Sequence, residues 1–169
     1  HKTANEGNAM IRPFHEGDLP ALHTMICETI DASYSGVYPP RAVEFFKEHH
    51  SQKRIAERQA AGEVLVLISD KDGSILATGS LVESEISGVF VHPDHQRQGY
   101  GKIIMDALER KARAIGLSET NLSISLPSRR FYECLGYEVH EECALDVGEG
   151  QYLRYWPARK ALKAFSESS

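Results

Sequence analysis

Gln96-Arg97-Gln98-Gly99-Tyr100-Gly101, between a strand-like run and a strongly amphipathic helix, is the stretch whose reading decides the fold. Upstream, Ile86, Gly88 and Phe90 alternate with Ser87, Val89 and Val91, and Val89-Phe90-Val91 is a β-favouring core that Pro93 interrupts. Downstream, Ile103, Ile104, Ala107, Leu108, Ala112 and Ile115 recur at helical spacing, and Gly116 is placed to cap the end. Amides in the first turn of such a helix lack backbone acceptors, so together with the helix dipole they favour an anion. Gly99 and Gly101 let that anion approach the backbone closely, and Arg97 and Lys102 add positive charge nearby.

Two phosphate-binding loops are excluded by position. A P-loop needs Gly, four residues, then Gly-Lys-Ser/Thr, but Ile103 follows Gly101-Lys102 and Gln96 stands where the first glycine belongs. A dinucleotide fingerprint needs a third glycine where Ile104 stands.

Working outward, Met10 to Phe14 reads as a first strand. Asp18 is placed to cap a helix with Leu19, Leu22, Met25, Ile26 and Ile30 on one face, which Tyr34 to Pro40 breaks. A second helical region spans about Arg41 to Ala61 and ends at Gly62. Val64 to Ile68 is a continuous apolar run, as in a strand covered on both faces, and Asp72-Gly73 turns it into Ile75 to Val82. After the Ile86 to Val91 strand and the helix from Gly99 come a strand at Leu122 to Leu126 and a short helix from Pro127 to Leu135. Strands near Tyr137 to Leu145 and Gln151 to Trp156 follow. The order is β-α-α-β-β-β-α-β-α-β-β, an α/β chain with a mixed central sheet and helices on both faces. The strand–helix–strand unit around Gly99 should form a right-handed parallel pair. Leu162 and Phe165 keep helical spacing in a tail that ends Ser-Glu-Ser-Ser and is expected to fray.

The chain has 169 residues, 41% hydrophobic and 25% charged, the balance of one globular domain. That domain is expected over 10–169, with 1–9 a disordered or appended leader. No apolar run approaches the roughly 20 residues that span a bilayer, so no membrane partner is expected. A net charge of −5 gives no footprint for nucleic acid. Three cysteines, Cys27, Cys134 and Cys143, with no Cys-x-x-Cys pair, suit a reducing cytoplasm. His92-Pro93-Asp94-His95 holds two imidazoles without further ligands at metal spacing and reads as a turn, so no metal is expected. His49-His50, in a charged helix, reads as a solvated face.

Gln-x-x-Gly-x-Gly after Val-Phe-Val-His-Pro closely resembles the acyl-CoA-binding motif of the GNAT superfamily of N-acyltransferases. Some thirty residues on, Phe131-Tyr132-Glu133-Cys134-Leu135-Gly136-Tyr137-Glu138 resembles that family's second signature, a Phe-Tyr helix ending in Gly before an aromatic-led strand. The element order from Met10 to Trp156 is similar as well. The resemblance implies an N-acetyltransferase that uses acetyl-CoA as co-substrate and transfers its acetyl group directly to a primary amine of a small molecule or peptide. It implies that the amides of Arg97, Gln98, Gly99, Tyr100, Gly101 and Lys102 hold the pyrophosphate, with Gln96 also among the donor-binding residues. The backbone of Val89, Phe90 and Val91 would pair with the pantetheine arm, and the Val91 amide would face the thioester oxygen.

By the same resemblance Tyr132 is the general acid toward the CoA sulfur, and Glu85 the first candidate for the base. Glu83, two residues earlier on the same strand face, is the second, and Glu28 a third. Ser125 and Ser128 stand where many family members carry Asn and Ala and would still hydrogen-bond the donor. These departures keep open a non-catalytic acyl-CoA sensor as an alternative. By analogy the acceptor lies between residues 33–41 and the loop near Asp146 to Gln151, lined by Tyr34 and Tyr38. An exposed edge near Gln151 to Trp156 leaves monomer and homodimer both open.

Overall fold

The computed structural model describes residues 9–164. The expected leader lies outside them except for Ala9, which instead opens the first strand and is fully buried. The expected fraying of Phe165 and the Ser-Glu-Ser-Ser end also lies outside them.

Thirteen elements are built: β1 (Ala9–Pro13), α1 (Leu19–Tyr34), α2 (Pro40–His49), α3 (Gln52–Ala61), β2 (Glu63–Ser69), β3 (Ile75–Val82), β4 (Glu85–Val91), α4 (Tyr100–Ala114), β5 (Glu119–Ser125), α5 (Arg129–Cys134), β6 (Glu138–Val139), β7 (Cys143–Gly148) and β8 (Gln151–Ala161). The strands form one sheet in the order β1-β2-β3-β4-β5-β8-β6, with β7 also on β8. All pairs are antiparallel except β4 with β5, which the α4 crossover joins in parallel.

One apolar cluster packs α4 and α5 against the sheet and a second packs α1, α2 and α3 against its other face, so helices cover both sides. β2 reads as near-continuous apolar sequence because it needs burial on both: Leu65 and Leu67 belong to the first cluster, Val64 and Val66 to the second. Gly79 on β3 lets α4 lie close, since a Cβ there would stand 2.7 Å from Ile104 Cγ2 and 2.9 Å from Leu108 Cδ1.

Four expectations shift. The region Arg41 to Ala61 is two helices, because His50 leaves helical geometry and Ser51 starts α3 by accepting a bond from the Arg54 amide at 3.3 Å. Asp18 does not cap α1: its carboxylate is held by Arg12 at 2.8 and 2.9 Å and by the His15 amide at 2.7 Å. The Tyr137 to Leu145 strand divides into β6 and β7. Finally, β8 runs through Pro157 to Ala161 rather than ending at Trp156. The Pro157 carbonyl accepts from the His140 amide at 2.8 Å, so its edge faces the end of two-residue β6, where a missing N–H costs no ladder bond.

Candidate functional site

The site begins with one extra residue in β4. Thr78 pairs with Phe90 and Ser80 with Ser87, so Gly88 and Val89 together oppose Gly79 alone. This is a β-bulge, and Gly88 adopts φ 63°, which glycine allows without a Cβ penalty. The bulge inverts the side-chain alternation: Ile86 lies in the α4 cluster and Phe90, four residues on, in the α1–α3 cluster. The simple alternation expected of Ile86, Gly88 and Phe90 therefore fails at Gly88.

Beyond the bulge β4 parts from β5. Their register holds only at Glu85 opposite Asn121, leaving the β5-side edge of residues 87–91 open. The His92 amide donates to Leu76 at 2.8 Å on the β3 side, so antiparallel alternation turns the Val91 amide the other way, toward the gap.

The strand then enters the glycine loop. Gln96 Nε2 donates to the Val91 carbonyl at 3.1 Å and ties the loop to the strand end. Arg97 and Gly99 sit at φ 66° and 85°, bending the backbone so that the amides of residues 97–102 find no acceptor among the described residues. Tyr100 is buried in the α4 cluster and offers the loop only its backbone, while Lys102 is exposed and paired with Asp106 at 2.8 Å. Gly101 carries the sharper requirement, because a Cβ would come 3.1 Å from Phe131 Cζ and 3.5 Å from Val91 Cγ2. The two motifs read in the sequence are thus packed against each other, with Phe131 of the second over Gly101 of the first.

Tyr132 follows Phe131 on α5. Its ring meets those of Phe131 at 4.9 Å and Tyr137 at 5.9 Å, both edge-on, and its hydroxyl has no hydrogen-bond partner among the described residues. Burial, with a smaller contribution from Tyr34, pushes the phenol well above its ordinary value, so it stays protonated. The chain after α5 is anchored from below. Tyr137 donates to Glu109 at 2.9 Å and pairs with Thr120 at 2.7 Å, and Lys160 reaches Glu109 at 2.8 Å.

The gap between β4 and β5 opens into a cavity of about 230 Å³ lined from both faces of the sheet. Tyr132, Ser125 and Ser128 meet it, as do Glu85, Val89 and Phe90 of β4, and Tyr34 from α1. The Tyr34 hydroxyl donates to Ser125 Oγ at 3.1 Å, and Ser125 and Ser128 are 2.9 Å apart, a hydroxyl chain along one wall. Tyr38 is elsewhere. Its hydroxyl donates to the Arg154 carbonyl at 2.8 Å and accepts from the Leu126 amide at 2.8 Å. Burial raises it to about 12, and it lines a separate cavity of about 300 Å³ beside Gln151 and Tyr152, in the region expected for the acceptor.

The three candidate carboxylates separate clearly. Glu85 opens β4 on the face opposite Ile86 and lines the cavity at the β4–β5 gap. Glu83 lies not on the strand but in the preceding turn at φ 54°, exposed and off the cavity lining. Glu28 is exposed, 3.9 Å from His92 Nε2.

His50 and Arg58 escape a reading of sequence alone. Rather than a solvated face, His50 is 6% exposed, edge-on to Phe90 at 5.0 Å, with Arg58 Nη2 at 3.1 Å from its Nδ1. A guanidinium only donates, so Nδ1 accepts and the proton of the neutral ring sits on Nε2. Arg54 does the same to His49 Nδ1 at 3.1 Å. Burial first, then the arginines, holds both imidazoles below their usual range, His50 far below. Burial lowers Arg58 to about 10, with Glu85 opposing the shift. Ser51 was the available signal: a helix start there ends α2 at His50 and turns Arg58 back toward it.

A model of the acetyltransferase (GNAT) domain matches residues 29–148, and the chain belongs to that family. Among solved structures it is similar to a GCN5-related N-acetyltransferase from Rhodopseudomonas palustris, at TM-score 0.79 and 21% identity over 90% of this chain and 94% of that one. PaiA N-acetyltransferase from Thermoplasma acidophilum, solved with coenzyme A, aligns at TM-score 0.68 and 18% identity over 90% and 98%. Salmonella typhimurium yncA, solved with its cofactor acetyl-CoA, aligns at TM-score 0.68 and 20% identity over 95% and 98%. At these identities the likeness is one of fold. An amino-acid acetyltransferase from Pasteurella multocida is 26% identical over 101 residues, 56% of this chain but only 23% of that protein's length.

Proposed function

We propose that the protein is an acetyl-CoA-dependent N-acetyltransferase acting on a primary amine by direct attack. The observation that carries this reading is the gap between β4 and β5, which opens beside an acceptor-free row of amides at residues 97–102 and exposes the unpartnered Tyr132 hydroxyl to one cavity with Glu85. The residues fit a CoA thioester. A helix start bent by Gly99 and kept bare by Gly101 suits a diphosphate, and an open strand edge suits an amide-bearing arm. The coenzyme A complex of PaiA and the acetyl-CoA complex of yncA support the same assignment.

Bound acetyl-CoA would supply an acetyl group activated as a thioester and depart as a thiol. Glu85 accepts the proton that the amine nitrogen sheds as it bonds to the acetyl carbon. Tyr132 gives its hydroxyl proton to sulfur as the carbon–sulfur bond breaks. The proton on Glu85 returns through solvent to the tyrosine oxygen, so one proton moves from nitrogen to sulfur overall. The Val91 amide donates to the carbonyl oxygen, where negative charge develops. Glu85 is favoured as base because both imidazoles on the cavity wall have their lone pairs committed to arginine.

Calorimetry with acetyl-CoA and a thiol-release assay over an amine panel test this reading together. Binding with turnover, and a loss of about 10²-fold or more in turnover for Glu85→Gln, is the expected result. Binding without acetylation of any amine would make the protein a sensor of acyl-CoA, and no binding would remove the assignment.

A further inference from the structure

The cavity lining joins a large apolar share to a single carboxylate, Glu85, and contains no lysine or arginine. Phe45, Phe46, Leu145, Leu153 and Tyr155, from α2, β7 and β8, line the cavity as well, and Leu145 is 40% exposed. Phe46 packs on Tyr34 at 4.6 Å and on Tyr38 at 5.0 Å, a rigid aromatic floor.

The Arg58 guanidinium lies beside Gly88, outside the lining, with two of its nitrogens engaged at the end of α2. It donates to the His49 carbonyl at 3.3 Å and to His50 Nδ1, while its Nε is sealed from solvent and without a partner. A carboxylate entering here would leave water and meet Glu85, with no lysine or arginine in the lining to pair with it, an arrangement that burial makes costly. An ammonium group, by contrast, has Glu85 to meet, and a flat apolar body has an aromatic wall to cover.

From this lining we infer that the acceptor is a primary amine on an aromatic or apolar body that bears no carboxylate, an arylalkylamine rather than an α-amino acid or a polyamine. Leu145 and the Phe45–Phe46 wall set that choice. The inference rests on the acetyltransferase reading and names its substrate class.

The test compares matched amines with the full chain. 2-Phenylethylamine and phenylalanine differ by one carboxylate, and spermidine replaces the ring with further cations. The expected kcat/KM for 2-phenylethylamine exceeds that for phenylalanine by about 100-fold and that for spermidine by a similar factor. Leu145→Arg, at a position that is 40% exposed, should narrow the phenylalanine gap by about tenfold. Parity or reversal in the unaltered protein, or a gap unmoved by Leu145→Arg, would overturn the inference. Ligand-observed NMR of 2-phenylethylamine gives a readout independent of transfer. If acetyl-CoA failed to bind, the acetyltransferase reading would fall while binding of this amine at the cavity still supported the substrate class. Absence of amine binding would overturn the class itself.

Discussion

Tyr132 is held by its neighbours' rings and not by its own oxygen. Edge contacts with Phe131 and Tyr137 fix its direction, and a hydroxyl with no partner is left facing the cavity. Tyr132→Phe keeps those ring contacts and removes only the proton. It is expected to lower kcat by about 10²-fold or more while acetyl-CoA affinity from calorimetry stays within about twofold. An unchanged kcat would take the acid role from this residue. Gly101 gives a second residue-scale result. Alanine there brings a Cβ 3.1 Å from Phe131, and a few tenths of an ångström of displacement is passed to the adjacent Tyr132. Gly101→Ala should cost about 1 kcal/mol or more of stability by overpacking, read from denaturant midpoints, and weaken acetyl-CoA binding as well. Both residues were legible in the chain, because their motifs are local strings. The partners of the Tyr38 hydroxyl, Arg154 and Leu126, were not, since no spacing along the chain reveals them.

At the scale of the element, β4 matters most. Its composition announced a strand, and the helix after the glycine loop is where Ile104, Leu108 and Ala112 placed it. The bulge went unread because it is a property of two strands, Gly88 and Val89 against Gly79, and register is set across the sheet. A lone glycine in a strand pattern was the available hint. Gly88→Ala is expected to cost about 1–2 kcal/mol for a side chain at positive φ, with Gly88→Asn costing less because asparagine tolerates that region. Thermal unfolding of the two variants checks the order, and equal costs would mean the strain lies elsewhere. The division of the expected long helix at Ser51 has a similar origin. A serine cap inside a charged helical pattern is a weak signal until His50 is seen to turn inward onto Phe90.

For the whole molecule, the mixed order with helices on both faces followed from the sequence pattern, since amphipathic stripes and turn residues are local and the parallel crossover has one permitted hand. What pattern could not supply was the buried charge between the layers. Arg58 and His50 lie under β4, with Arg54 and His49 beside them, so the folded His50 resists protonation. Its folded pKa lies below the ordinary value of about 6.5, so the unfolded chain takes up the proton first as pH falls. The stabilising contribution is therefore complete above about pH 6.5 and declines below it, by at most ~1.4 kcal/mol per pH unit, until the folded value is reached. Subtracting the stability profile of His50→Gln from that of the unaltered protein between pH 7 and 5 should reveal this decline. A flat difference would mean that the ring is protonated as readily inside as out.

Among the described residues no helix is long and apolar enough to cross a membrane. The parting of β4 from β5 has a larger meaning for how the protein operates. Because the seam is walled from both sides of the sheet, by residues of α1 and α2 on one and of α5 on the other, the proposed reaction would hold its two reactants there side by side. On the proposed reading neither reactant would have to leave before the other arrived.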